Sequence, residues 1–351
     1  MHDIVIRGGT IVDGTGKPSF TGDLAIDGDR ITQVGGTAGP GRREVDAAGR
    51  LVTPGWVDVH THYDGQATWD PVLAPSSWNG VTTILFGNCG VGFAPVRKRD
   101  HQGLIDLMEG VEDIPGIALA EGLKWDWESF PEYLDALERL PRTIDIAAQV
   151  AHHPLRVYVM GDRAIRREMA TAEDIAEMSR LTEEALKAGA FGFTTSRTDQ
   201  HKTPDGDLVP GRYAEHEELI GIGRALGRAG RGAFGMLSDF EDEAADRLDE
   251  HHRPREQAPA LVPADRPLLR PRPLAPADGR RPRRRAEGLP MSAQVAGRPV
   301  GLILGLTTSL NPFALREAYA ETATLSPAAQ LARLRDPAVR AAVLAEEASP
   351  G

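Results

Sequence analysis

Apolar and polar positions alternate over the first fifty residues, as in a half-exposed antiparallel sheet. Ile4-Val5-Ile6, the glycines Gly8 and Gly9, then Thr10-Ile11-Val12 predict a first strand pair. Leu24-Ala25-Ile26 and Ile31-Thr32-Gln33-Val34 flank Asp27-Gly28, a hairpin signature. From Leu51 the strands become continuous apolar runs, the mark of strands buried on both faces. Six such runs follow: Leu51–Val59, Gly80–Cys89, Ile144–His152, Gly189–Thr195, Gly232–Asp239 and Met291–Val295. Between them, Ala172, Ile175, Met178, Leu181 and Leu186 repeat at helical spacing. Thr171 is the expected N-cap of that helix, Asp174 completes a capping box, and Gly189 closes it. A second helix is expected over Tyr213–Leu226, and a charged helical stretch over Leu331–Glu347.

Strand, polar end, helix, strand is the grammar of a parallel α/β sheet. Several strands end in polar or ligand-capable residues, as the active-site strands of a β/α barrel do. A doubly wound open sheet fits the same grammar, but no Gly-rich phosphate fingerprint follows the first strand. The expected architecture is therefore an α/β (β/α)8 barrel with a small N-terminal β-sandwich part. Six strands fall short of eight, so the barrel is expected to be incomplete at the C-terminus. The expected divisions are 1–52 for the β-sandwich part, 53–250 for the first part of the barrel, 251–290 as an anomalous segment, and 291–351 for a later barrel segment.

The anomalous segment changes that picture. It holds ten arginines and nine of the 26 prolines, and no Ile, Ser, Thr, Lys or aromatic residue. Three readings are open: a Pro/Arg linker, an anion-binding arm, or a compensated pair of frameshifts in a GC-rich gene. The third is preferred, because ordinary βα text stops near Asp242 and resumes near Gly288. Reading the coding DNA in its other two frames decides the matter, since a strand pattern must emerge from one of them. His251 and His252 lie within this segment and are read as accidental.

Composition adds exclusions. The chain has 351 residues, 41% hydrophobic, and a formal net charge of −11. An acidic surface argues against nucleic acid and anionic membranes as partners. No stretch approaches about 20 consecutive apolar residues, and the N-terminus has no basic-then-apolar leader. A cytoplasmic protein is expected. The one cysteine, Cys89, excludes an internal disulfide.

The chemistry concentrates at strand ends. In a strand, residues i and i+2 share a face, so His60 and His62 are expected to point the same way around Thr61. Two neutral imidazoles there suit a divalent metal such as zinc. Cys89 ends the next strand among Gly87, Asn88, Gly90 and Gly92. Neighbouring strand ends place its thiolate, a strong zinc ligand, where it can face the two histidines. The alternative is a structural cysteine beside a turn. His152, ending the third run, is a candidate for contact with substrate. Arg197 and His201 follow the fourth run, where an arginine can hold a substrate carboxylate; a solvated loop is the competing reading. His216, among Glu215, Glu217 and Glu218, reads as a surface residue.

His60-Thr61-His62-Tyr63-Asp64-Gly65-Gln66 followed by Gly87-Asn88-Cys89-Gly90 resembles the D-aminoacylase (N-acyl-D-amino-acid deacylase) branch of the amidohydrolase superfamily. Val150–Arg156 and Gly189–Thr195 are similar to that branch's third and fourth strand segments. The resemblance implies a barrel with a β-sandwich domain, one or two zinc ions, and Cys89 as a ligand beside His60 and His62. It also implies hydrolysis of a small N-acyl amino acid by a zinc-activated water, with an aspartate of the last barrel strand as base. That aspartate is expected beyond Gly351. The family's remaining histidine ligands end strands five and six. Asp239 stands where the first is expected, and the second would fall in the anomalous segment. Two alternatives stay open: an inactive remnant of such an enzyme, and a cyclic amidase of the hydantoinase or dihydropyrimidinase kind. The bridging lysine common in cyclic amidases has no evident counterpart. The oligomeric state is not legible.

Overall fold

The computed structural model describes residues 1–238, 260–263, 291–294, 305–306, 311–314 and 316–346. These fall into two compact units, Met1–Asp58 with Pro75–Thr83, and Val59–Ala74 with the rest of the chain.

The first unit is built on a five-stranded sheet. Strand β1 (His2–Ile11) pairs antiparallel with β2 (Phe20–Asp27), which pairs antiparallel with β3 (Arg30–Val34). On its other side β1 runs parallel to β4 (Gly41–Asp46) and β5 (Leu51–Val52). The expected hairpin across Asp27-Gly28 is the β2–β3 turn. The expected turn at Gly8-Gly9 is absent. Gly8 takes φ +66, a conformation that glycine adopts cheaply, and the register shifts there while the strand continues. Arg7 binds Asp23 and Glu44 over this sheet, and Val5, Ala25 and Ala38 form its small core. Strand β6 (Trp56–Asp58) leads to the histidine pair and neighbours β7 (Val81–Phe86).

After the histidine segment and the Cys89 turn, the second unit carries α1 (His101–Glu112), α2 (Gly116–Gly122) and α3 (Phe130–Glu138), then β8 (Asp145–Ala148) and β9 (Val150–Ala151). Helices α4 (His152–Met160), α5 (Asp162–Ile165) and α6 (Ala172–Ala188) precede β10 (Gly192–Arg197). Helix α7 (His216–Ala229) precedes β11 (Ala233–Ser238), followed by β12 (Ala260–Pro263) and β13 (Met291–Gln294). Among the described residues, β9 to β13 form one sheet in sequential order, every neighbouring pair parallel. The last four of the six apolar runs contribute strands to this sheet, as expected; the first two, as β6 and β7, belong instead to a separate three-stranded sheet. Strand β12 was not anticipated: its four residues lie inside the Arg/Pro-rich segment. All other residues from 251 to 290 lie outside the described residues.

Helix α6 has the expected capping box, with Thr171 and Asp174 each binding the other's backbone N–H, and Gly189 at its C-cap. Its buried face carries Met178, Ala185 and Leu186, and α7 buries Leu219, Ile222 and Leu226. Each large aliphatic side chain of this kind contributes about 1.5–3 kcal/mol on burial. A Cβ on Gly221 would sit 2.5 Å from Ile175 Cγ2, so this glycine lets the two helices close together. The C-terminal stretch is three helices, α8 (Glu317–Ala323), α9 (Pro327–Leu334) and α10 (Pro337–Ala345). Asp336 divides the last two by capping Ala338 and Val339, with Pro337 in the first turn. Among the described residues no helix is long and apolar enough to cross a membrane.

Candidate metal centre

In a parallel sheet all strands present their carboxyl ends on one edge. Here that edge brings Ala151, Arg197, Ser238 and Gln294 to the same side, with Arg197 in register with Ser238. His60 and His62 follow β6, and the turn carrying Cys89 follows β7.

That turn is shaped by its sequence. Gly87 takes φ +82 and Gly90 φ +72, and Cys89 between them takes φ +54. A left-handed cysteine is strained and persists only where its surroundings fix it. Gly87 is obligatory: a Cβ there would lie 2.3 Å from the Gln149 carbonyl oxygen. Gly90 donates its N–H to Thr194 Oγ1 (3.1 Å), and Thr194 donates its hydroxyl to the Gly87 carbonyl. Buried Asn88 donates to the Thr61 and Leu85 carbonyls at 3.2 and 3.0 Å and accepts from Gln149 Nε2 at 3.0 Å. The segments bearing Thr61 and Cys89 are thereby tied at one side chain.

The structure brings His60, His62 and Cys89 together, one donor atom from each within 4.8 Å of the others. His60 Nε2 lies 3.3 Å from Cys89 Sγ, and the two imidazole rings stand edge to face at 5.5 Å. His60 Nδ1 is 2.9 Å from Gln294 Oε1, while Gln294 Nε2 donates to the Val59 carbonyl at 3.2 Å. An amide oxygen only accepts, so Nδ1 carries the proton and Nε2 keeps its lone pair toward Cys89. His62 Nε2 lies 3.2 Å from Glu112 Oε1, and His62 Nδ1 is buried without a hydrogen-bond partner. Burial, with His60 and His201 nearby, holds the His62 imidazole well below its ordinary value, hence neutral. Burial also pushes the Asp64 and Glu112 carboxyls up to about 8. A neutral imidazole with an orphaned nitrogen beside a thiol is a donor set that fits zinc.

The other sequence candidates sit differently. His152 is fully buried, with Nδ1 2.7 Å from Thr195 Oγ1 and Nε2 2.7 Å from Glu218 Oε1. Strand β9 ends at Ala151, so His152 opens α4, and its ring is buried between Thr195 and Glu218. Arg197 is the last residue of β10, not part of the loop, and its Nη1 donates to the Ala214 carbonyl at 2.6 Å. His201 lies in the loop, its Nδ1 2.8 Å from Ser196 Oγ. Asp239, His251 and His252 lie outside the described residues.

Sequence reasoning missed Glu112, Gln294, Asp64 and Glu218. Gln294 carried a usable signal, since it ends a strand like the other polar candidates. Glu218 lies among helix residues that read as solvated, yet it is buried against His152 and Arg156. Burial pushes its carboxyl up, but those two partners outweigh burial and hold it low.

With this geometry in view, comparison with known proteins defines the class. The amidohydrolase family model matches residues 43–349, and the chain belongs to that family. Within it, the chain is similar to the D-aminoacylase branch. It is 34% identical over 252 residues to the D-aminoacylase of Alcaligenes xylosoxydans xylosoxydans, covering 72% of this chain and 47% of that protein. A D-aminoacylase structure described by its binuclear metal centre superposes with a TM-score of 0.64 at 29% identity, covering 84% of this chain and 58% of that one. The N-acyl-D-glutamate deacylase of Bordetella bronchiseptica, complexed with zinc and a phosphonate inhibitor, gives 0.65 at 27% identity, covering 85% and 59%. The chain spans about half the length of the curated relatives it matches.

Proposed function

We propose that this chain is a metal-dependent hydrolase of non-peptide C–N bonds that deacylates N-acyl-D-amino acids at a centre held by His60, His62 and Cys89. The observation that carries this reading is the convergence of one donor atom from each of the three. The family match and the deacylase relatives supply the reaction class. The sequential parallel sheet β9–β13 supports placing it in a (β/α)8 barrel, with residues 1–52 as a β-sandwich part and 53–250 and 291–351 as barrel segments.

Each residue has a definable task. Gln294 fixes the His60 tautomer that presents Nε2. Asn88 holds the histidine segment to the cysteine turn, and Gly87 and Gly90 let that turn aim Sγ at the histidines. Burial keeps His62 neutral and its lone pair available. A zinc ion held there would supply Lewis acidity toward the scissile carbonyl and a nucleophilic water near neutral pH. His152, Arg156 and Glu218 act as a support beneath Thr195 and the strand edge.

The test is metal content and turnover of the purified 351-residue chain. At least one equivalent of zinc with release of free amine from N-acetyl-D-amino acids is expected. Stoichiometric zinc without turnover of any N-acetyl-D-amino acid leaves the metal centre standing and sinks the deacylase assignment. A Cys89→Ala chain that kept full zinc content would remove Cys89 from the ligand set.

A further inference from the structure

We propose that His153 is a positioning residue for Cys89: its imidazole clamps the cysteine turn to the loop after β10 and so fixes the direction of Sγ. The inference rests on the proposed metal centre for the purpose of that turn. The clamp itself is a matter of geometry within the chain.

The ring of His153 is set between two glycines, one against each nitrogen. His153 is fully buried in the first turn of α4. On one side, a Cβ on Gly211 would lie 2.7 Å from His153 Nδ1 and 2.9 Å from Cε1. On the other, a Cβ on Gly90 would lie 3.0 Å from Nε2 and 3.3 Å from Cδ2. A methyl group at Gly211 would displace the ring, and one at Gly90 would crowd it. Gly90 follows Cys89 directly, and Gly211 belongs to the loop after β10, so one ring spans the gap between turn and loop.

Hydrogen bonding fixes the tautomer. Gly211 donates its backbone N–H to His153 Nδ1 at 3.1 Å. Burial, with His152, His201 and Arg156 nearby, holds the imidazole well below its ordinary value, so the ring is neutral and carries one proton. With Nδ1 accepting, that proton is on Nε2, against the Cys89–Gly90 backbone. Nε2 is buried with no aligned hydrogen-bond partner, and the Cys89 carbonyl is the backbone acceptor on that side of the ring. A buried donor left unmet costs about 1–3 kcal/mol, which draws ring and carbonyl together.

Cys89 needs such a hold. It takes φ +54 and ψ 12, where a side chain is strained. Thr194 secures Gly87 and Gly90, and Asn88 is tied through its own side chain. Holding the carbonyl of Cys89 itself fixes its ψ, and the direction of the Cα–Cβ bond follows. The loop is a firm anchor for this, since Arg156 Nη1 donates to the Pro210 carbonyl at 2.7 Å and Arg197 Nη1 to the Ala214 carbonyl at 2.6 Å, on either side of Gly211. A histidine present only for bulk would need no particular tautomer, and another ring of similar size would serve.

The experiment reads Cys89 in the full 351-residue chain, where it is the sole thiol. Nitrogen-15 NMR of the wild type is expected to show the His153 ring protonated at Nε2; protonation at Nδ1 overturns the clamp. His153→Phe keeps a ring and removes both nitrogens, His153→Gln keeps a donor, and Thr171→Ala supplies a control destabilised elsewhere. In the chelator-stripped chain, Cys89 of His153→Phe should react with iodoacetamide faster than in the wild type or Thr171→Ala. His153→Phe should also bind cobalt(II) about 10-fold or more weakly, with a shifted thiolate-to-cobalt band. His153→Gln should recover most of both. A folded His153→Phe chain with the wild-type alkylation rate and the wild-type cobalt band overturns the clamp. A wild type that binds no cobalt overturns the metal centre instead, and the alkylation rates then decide the clamp alone.

Discussion

At the scale of single residues, the buried group around Glu218 shows how charge is tolerated inside this chain. Glu218 Oε1 meets His152 Nε2 at 2.7 Å and Arg156 Nε at 2.9 Å, and Arg156 also donates to the Pro210 and Glu168 carbonyls. Removing one member leaves the others desolvated and uncompensated. Glu218→Ala is therefore expected to destabilise by about 3–5 kcal/mol, read as a lower urea midpoint with an unchanged m-value. The same group sets a pH dependence. Burial holds His152 below its ordinary 6.5, with Glu218 only partly offsetting it. The unfolded chain thus takes up a proton below pH 6.5 that the folded chain refuses, and stability falls as the solution is acidified. Glu218, held below its ordinary 4.5, adds a loss of the same sign at lower pH. The His152 contribution to the unfolding free energy should shrink from pH 7 to pH 5, opposed over the same range by the raised carboxyls of Asp64 and Glu112; it is read as the difference in pH slope between the wild type and His152→Gln, and an equal slope would remove His152 from the effect. None of this was visible in sequence, where Glu218 sits among Glu215, His216 and Glu217 and only the helix phase turns it inward.

At the scale of elements, what was legible was what local chemistry decides. Thr171, Asp174 and Gly189 marked both ends of α6 because caps satisfy backbone groups from within a few residues. Thr171→Ala should cost about 1 kcal/mol, measured by thermal or urea unfolding. The cysteine turn is a stricter case. Gly87→Ala places a Cβ at 2.3 Å from a backbone oxygen and strains φ +82, so it should cost stability and metal binding together. A Gly87→Ala chain with wild-type zinc affinity would show that the turn does not aim Cys89. Boundaries were less legible. Strand three was expected to run to His152, yet it stops at Ala151 because α4 begins there. The turn at Gly8-Gly9 dissolved into a bulge, since one glycine serves either outcome and only pairing with β2 and β4 chooses.

At the scale of the whole molecule, the candidate ligands come from the segments after β6 and β7, strands of a three-stranded sheet separate from β9–β13, and Gln294 reaches them from the end of β13. A centre assembled from segments so far apart in sequence holds its metal only when folded, so metal and stability are linked. Zinc at 1,000 times its dissociation constant should add about 4 kcal/mol, and a chelator should lower the melting temperature of the wild type but not of a His60→Ala, His62→Ala chain. Equal shifts in both would place the stabilising ion elsewhere.

The sequence by itself determined the strand–helix grammar, the family, and three residues whose types suit one metal: His60, His62 and Cys89. These are facts carried by residue type and local pattern: the two-residue spacing of His60 and His62 at one strand end, and Cys89 among glycines at the next. The tertiary structure decided who else stands beside them. Glu112 arrives from a helix, His201 from a loop closed on that helix through Gly110, and Gln294 from a strand 234 residues after His60. It also decided that His152 faces the core, because helix phase and burial are settled by packing partners that lie far away along the chain.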